Sequence, residues 1–249
     1  MHRPARFWLL LILLGLLPAL TEANQELPRS PLDSLPVHAS RAASSLLLYR
    51  GEGFQSAYLL RLDRDIRALD ATLQRLERPS AELRAAHRAL LERLREGAAF
   101  GPAEDDMPWG WPLQLSKTLR EFLAAVRAEP DAGASRNELP AKLEYLAVQY
   151  LSRAYIGSFE IAREQPDSYL GQDERALVPS IDSQLAGLQL AQPAALAKLR
   201  SRWAYLRVAL ADMNSASNHF TTASGRPFAP IMVDRHTRGL SAHWVPAAP

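Results

Sequence analysis

Cysteine is absent from all 249 residues. That excludes disulfides, thiolate metal sites and covalently attached c-type haem, so the fold must rest on packing alone. Lysine is almost absent too: Lys117, Lys142 and Lys198 are the only three among 29 basic residues, and arginine supplies the rest. We read that excess as the coding bias of a GC-rich bacterial genome. Charge of one sign is also missing, since the formal net charge is +2 and the pI of 9.0 reflects a small imbalance. The chain therefore lacks the basic footprint of a nucleic-acid binder, and no nucleic-acid partner is expected. No stretch alternates apolar and polar residues for long enough to form strands.

The longest uncharged apolar run, Phe7–Leu20 (FWLLLILLGLLPAL), has 14 residues. A membrane-spanning helix needs about 20. The run follows His2, Arg3 and Arg6 and precedes Thr21-Glu22-Ala23, whose small residues stand at the −3 and −1 positions of a cleavage site. This pattern reads as an export signal covering residues 1–23, cleaved after Ala23, with retention as an anchor the alternative. A periplasmic or secreted location and no stable membrane span after cleavage are the expectations. Residues 24–38 (NQELPRSPLDSLPVH) hold three prolines and no helical period, and are expected to form an extended linker.

What remains is helical. Tyr58–Leu76 places Tyr58, Leu62, Ile66, Leu69, Leu73 and Leu76 at steps of three and four, the stripe of an amphipathic helix facing a bundle core. Gly51 and Gly53 suggest a break ahead of it. Ser80 is an expected N-cap for Ala81–Glu96 with Gly97 as its C-cap, and Pro112 suits the first turn of a helix over Leu113–Ala128. A polar stretch with Pro and Gly, Glu129–Leu139, is the best internal boundary. Helices are then expected over Pro140–Glu164, Tyr169–Leu188 (kinked or delayed by Pro179), Ala194–Met213 and Ile231–Trp244, with Asn214–Ala229 irregular. The fold class is all-α: a helical bundle, with helical units over 39–128 and 140–249.

The two units echo each other. Tyr49, Gly51 and Phe54 resemble Tyr155, Gly157 and Phe159, and Leu69-Asp70 answers to Ile181-Asp182 at an offset of 112 residues. Leu83-Arg84 and Leu90 match Leu199-Arg200 and Leu206 at 116, and Pro112 through Val126 match Pro230 through Trp244 at 118. The offset grows through short insertions, as in a tandem duplication. Helical period alone would align the leucines but not the prolines and glycines.

Catalytic patterns are missing. None of His38, His87, His219, His236 or His243 has a His, Asp or Glu three or four residues away on a helix, so no metal site or cofactor is expected. Neither Gly-x-Ser-x-Gly nor Ser-x-x-Lys occurs. Asp70 and Asp182 flank the apolar stripes, where a carboxylate is either solvated, paired with an arginine or part of a site. Trp109-Gly110-Trp111 sits in a loop, to plug the end of the bundle or to anchor a partner. Asp234, Arg235, His236 and Arg238 form the densest polar cluster, a solvated helix face or an anion site with both arginines as donors. The expected function is a non-enzymatic envelope module binding a partner protein or a small polar or anionic ligand. The alternative is an enzyme built from Asp182, Asp234 and His236.

Overall fold

A computed structural model describes residues 30–130, 136–157, 159, 168–188, 193–211, 213 and 229–245. All regular structure among them is helical. In chain order the helices are α1 (Pro31–Gly51), α2 (Ser56–Gln74), α3 (Ala81–Ala99), α4 (Trp111–Ala128), α5 (Leu139–Tyr155), α6 (Glu174–Ala186), α7 (Pro193–Ala211) and α8 (Pro230–Ser241), with one short 3₁₀ turn at Glu104–Asp106.

Two of these helices form the centre. Nearly every residue of α1 from Leu32 to Leu48 is buried, as is nearly every residue of α5 from Leu139 to Ser152. A helix buried on every side sits inside other structure, and both are rich in apolar residues. α1 packs on α5, and each gathers its own shell: α2, α3 and α4 against α1, and α6, α7 and α8 against α5. α1 also touches α8. Within both halves the second helix lies on the first and the third lies on the fourth, whereas the second and third helices pack together only in the second half. The outer helices keep one buried stripe each, such as Leu62, Ile66, Leu69 and Leu73 on α2, as their spacing requires.

Several boundaries follow the sequence. The Ser80 hydroxyl accepts from the Leu83 amide at 3.0 Å and starts α3, and Pro112 lies in the first turn of α4. α1 ends at Gly51, where Gly53 takes a φ of +79° and the Phe54 amide bonds back to the Tyr49 carbonyl. Phe54 itself sits at φ +60°, held by an edge-on contact with Tyr49.

Others depart from it. Residues 31–38 are not an extended linker but the first two turns of α1. Ser30 caps the Leu32 amide, Pro31 occupies the first turn where no amide partner is needed, and Pro36 costs the helix only one internal bond. The burial of Leu32, Leu35 and Val37 offsets that loss. α5 stops at Tyr155, earlier than Glu164, because Gly157 turns at φ +86°. α6 starts late, with Asp173 capping the Arg175 amide, and it absorbs Pro179. The matched glycines Gly51 and Gly157 have different roles: Gly51 lies in the last turn of α1, pressed by the Tyr155 ring, whereas Gly157 supplies a left-handed turn. Residues 1–23 and the irregular 214–228 lie outside the described residues.

Gly97 is not a C-cap either. It lies inside α3 at a close approach, where an added Cβ would stand 2.1 Å from the Trp111 ring and 2.9 Å from Leu46. Propensity alone would make Gly97→Ala stabilising by about 1 kcal/mol. The overpacking should win and leave the variant about 1–3 kcal/mol less stable in chemical denaturation. A raised midpoint would contradict the packing described.

Candidate functional site

The polar centre of the molecule is a network of three guanidinium and three carboxylate groups between α1, α2, α5 and α8. Arg41 on α1 donates from Nε to Glu144 Oε1 on α5 at 2.8 Å, and from Nη2 to the Ser241 hydroxyl at 2.7 Å and the Val245 carbonyl at 2.9 Å. Arg41 is 2% exposed and Glu144 0%, so this pair is out of water entirely. Ser241 also donates to Glu144.

Beside it, Arg238 on α8 holds Asp65 on α2 with both arms of its fork, at 3.1 and 2.8 Å. Its Nε donates to Asp234 at 3.0 Å, one turn earlier, and Nη2 reaches the Arg41 carbonyl at 2.6 Å and the Ser45 hydroxyl at 2.9 Å. Ser45 donates to Asp65 at 2.6 Å. Arg61 closes the cluster, donating to Ser45 at 3.0 Å and to Asp234 at 2.8 Å. Burial alone would raise the Asp65 carboxyl, but the Arg238 charge, its hydrogen bonds and that of Ser45 hold it below the usual range. Burial opposes the charge on Arg238 as well, yet Asp234 and Asp65 raise its pKa further still. His38, buried one turn before Arg41, is pushed down to about 4 by burial first and by Arg41 next.

The residues expected to form a site are distributed as follows. Asp234 and Arg238 are not on a solvated face, because the helix turns them inward onto α1 and α2. Arg238 is not a free anion donor either, since all three of its nitrogens are engaged inside the protein. Arg235 is exposed, and His236 lies against Tyr205 of α7 with ring centroids 4.5 Å apart. Asp182 accepts from the Trp203 indole and from Arg207, both at 2.7 Å. Asp70 lies 2.9 Å from His87 Nε2. Asp182, Asp234 and His236 therefore face different partners and form no common pocket. The two tryptophans divide their expected roles: Trp111 is 1% exposed and packs on Phe100 and Gly97, while Trp109 is 98% exposed.

Asp65, Arg41, Arg61 and Glu144 escaped the sequence reading. Their signals were present. Asp65 stands three residues after Leu62 and four before Leu69, on the buried stripe itself, and Arg41 and Glu144 are the charged residues inside the fully buried stretches of α1 and α5.

The described surface holds two larger clefts. One, of about 180 Å³, is lined by Leu47, Arg50, Phe54, Met107, Tyr155 and their neighbours. The other, of about 340 Å³, lies between the start of α5 and α6. Among the described residues no cluster of His, Asp and Glu could hold a metal ion, and no helix is long and apolar enough to cross a membrane.

Comparison with known proteins adds no relative: no family model matches the chain, and neither the curated proteins nor the solved structures contain a significant match.

The His38 position makes stability depend on pH. Its folded value lies below its ordinary one, so between about 6.5 and about 4 the unfolded chain takes up a proton that the folded chain refuses. Stability should be complete above that window and fall on acidification through it, by at most about 1.4 kcal/mol per pH unit. His87 is also lowered, by burial, and adds to the slope. Asp65, depressed below 3.8, contributes only at lower pH. Denaturation midpoints between pH 7 and 4 should therefore fall less steeply for His38→Gln. An unchanged slope would remove His38 from this account.

Proposed function

We propose that the chain is an exported helical-bundle module of the bacterial cell envelope that binds a partner protein through Trp109 and does not itself catalyse a reaction. The observation that carries the reading is the 98% exposure of Trp109 beside a firmly held neighbour. Trp111, two residues on, is clamped between Phe100 and Gly97, and the Trp111 amide bonds to the Pro108 carbonyl at 2.9 Å. The turn that carries Trp109 is therefore anchored at its base. Leu113, four residues along, is 57% exposed and extends the apolar area. An exposed indole on an anchored turn is a typical anchor of a protein interface, because it buries a large area with few rotatable bonds. Leaving it in water brings the fold nothing.

Export rests on the basic start, the short apolar run and Thr21-Glu22-Ala23. The absence of cysteine agrees with an extracytoplasmic protein that relies on packing. We also propose that the two four-helix halves descend from one duplicated unit. Its support is the neighbour pairs common to both halves, together with Pro112 and Pro230 in the first turns of the two fourth helices.

Replacing Trp109 should separate binding from folding. Trp109→Ala should change stability by no more than about 0.5 kcal/mol, whereas Trp111→Ala should cost about 3–5 kcal/mol. With a photo-crosslinking side chain at position 109, cells of the native host should yield a discrete adduct. The same side chain at Leu60, also exposed, should give none. Equal adducts at both positions, or none at either, would refute the Trp109 interface.

A further inference from the structure

We propose that the cleft between α5 and α6 is a binding site for a small carboxylate, with Lys142 as its counter-ion. The inference is independent of the reading given to Trp109.

Lys142 is one of three lysines in a chain whose other basic residues are arginines. Lys117 and Lys198 are exposed, whereas Lys142 is half-buried in the wall of the 340 Å³ cleft. Its Nζ bonds the Ser180 hydroxyl on α6 at 3.1 Å. No carboxylate among the described residues forms an ion pair with it. Glu138, at the N-cap of the same helix, is taken by Arg127. Lys142 also stands in the first turn of α5, the positive end of the helix dipole, where a cation is disfavoured. Ser180 and the charge of Glu138 offset only part of the ammonium's burial, at a position that adds to the cost. That cost lowers its pKa, with burial the main cause and Glu138 opposing.

Glu138 also lines the cleft, its carboxylate held by Arg127, and the rest of the wall suits an anion with an apolar body. Ser168 accepts from the Leu170 amide, which leaves its own proton free to donate, and Gln172 adds a polar edge. The Tyr169 hydroxyl is buried with no hydrogen-bond partner, and burial raises its pKa so that it stays a donor. Leu177, Ala176 and the Tyr169 ring supply the apolar side. A single ammonium with hydroxyl donors matches a carboxylate. A phosphate dianion is held better by paired guanidinium groups.

Titration calorimetry of the whole chain at low salt tests this, with benzoate as the probe and the neutral isostere benzamide and inorganic phosphate as comparisons. Benzoate should bind saturably at one site, at least tenfold tighter than benzamide or phosphate. Lys142→Met should erase the preference for benzoate, Lys142→Arg should keep part of it, and Lys198→Met should leave it intact. Thermal melts by circular dichroism confirm that each variant is folded. No saturable benzoate binding, equal affinity for benzamide, or full affinity in folded Lys142→Met would each overturn the proposal.

Discussion

The guanidinium of Arg238 is the group on which the interior of this protein depends. It stands on α8, the last helix, and reaches Asp65 on α2, Ser45 and the Arg41 carbonyl on α1, and Asp234 on its own helix. Arg41, next to it, carries the same network across to Glu144 on the other central helix. Charges taken out of water at this depth are tolerated only when every one is paired and directed. The cluster meets that condition by using both arms of one fork, the hydroxyls of Ser45 and Ser241 and two main-chain carbonyls. Its contribution is better described as specificity than as net stability, since a well-packed apolar cluster of equal volume would hold helices as firmly. An apolar contact tolerates sliding. A bidentate pair between α8 and α2 does not.

That constraint explains how two central helices buried on nearly every side find one register. Along an apolar surface α1 and α5 could rotate against their neighbours with little penalty. Arg41 and Glu144 allow only the setting in which their carboxylate and guanidinium planes meet. The outer helices are oriented by simpler means, each burying a single stripe and exposing the rest.

Legibility followed the same division. The stripe of Tyr58–Leu76, the Ser80 cap and the Pro112 helix start depend on neighbours in sequence, and they were readable. The start of α1 was not, because three prolines in fifteen residues mask a helix whose stability comes from tertiary burial of Leu32, Leu35 and Val37. Gly97 reads as a cap from sequence, whereas only the ring of Trp111 shows that it is a point of contact. The polar cluster at Asp234–Arg238 was visible as a cluster. Which way it faced was not, since Asp65 and Arg61 on distant α2 turn it inward. Lys142 drew no notice for a related reason: its lack of a counter-ion is a property of three-dimensional neighbours, with Glu138 four residues before it already bound to Arg127.

The interior thus accounts for how the chain folds, and Trp109 and the α5–α6 cleft are what it holds out to other molecules. Because the ionic network joins both central helices to α2 and α8, a double-mutant cycle on Arg238 and Asp65 tests the account most directly. The single variants Arg238→Met and Asp65→Asn should each cost about 3–5 kcal/mol, since each breaks a buried bidentate ion pair by removing one partner. The double variant should cost at least about 2 kcal/mol less than their sum. Additivity within about 0.5 kcal/mol would show that the two groups do not act as a unit, and the network would lose its place at the centre of the fold.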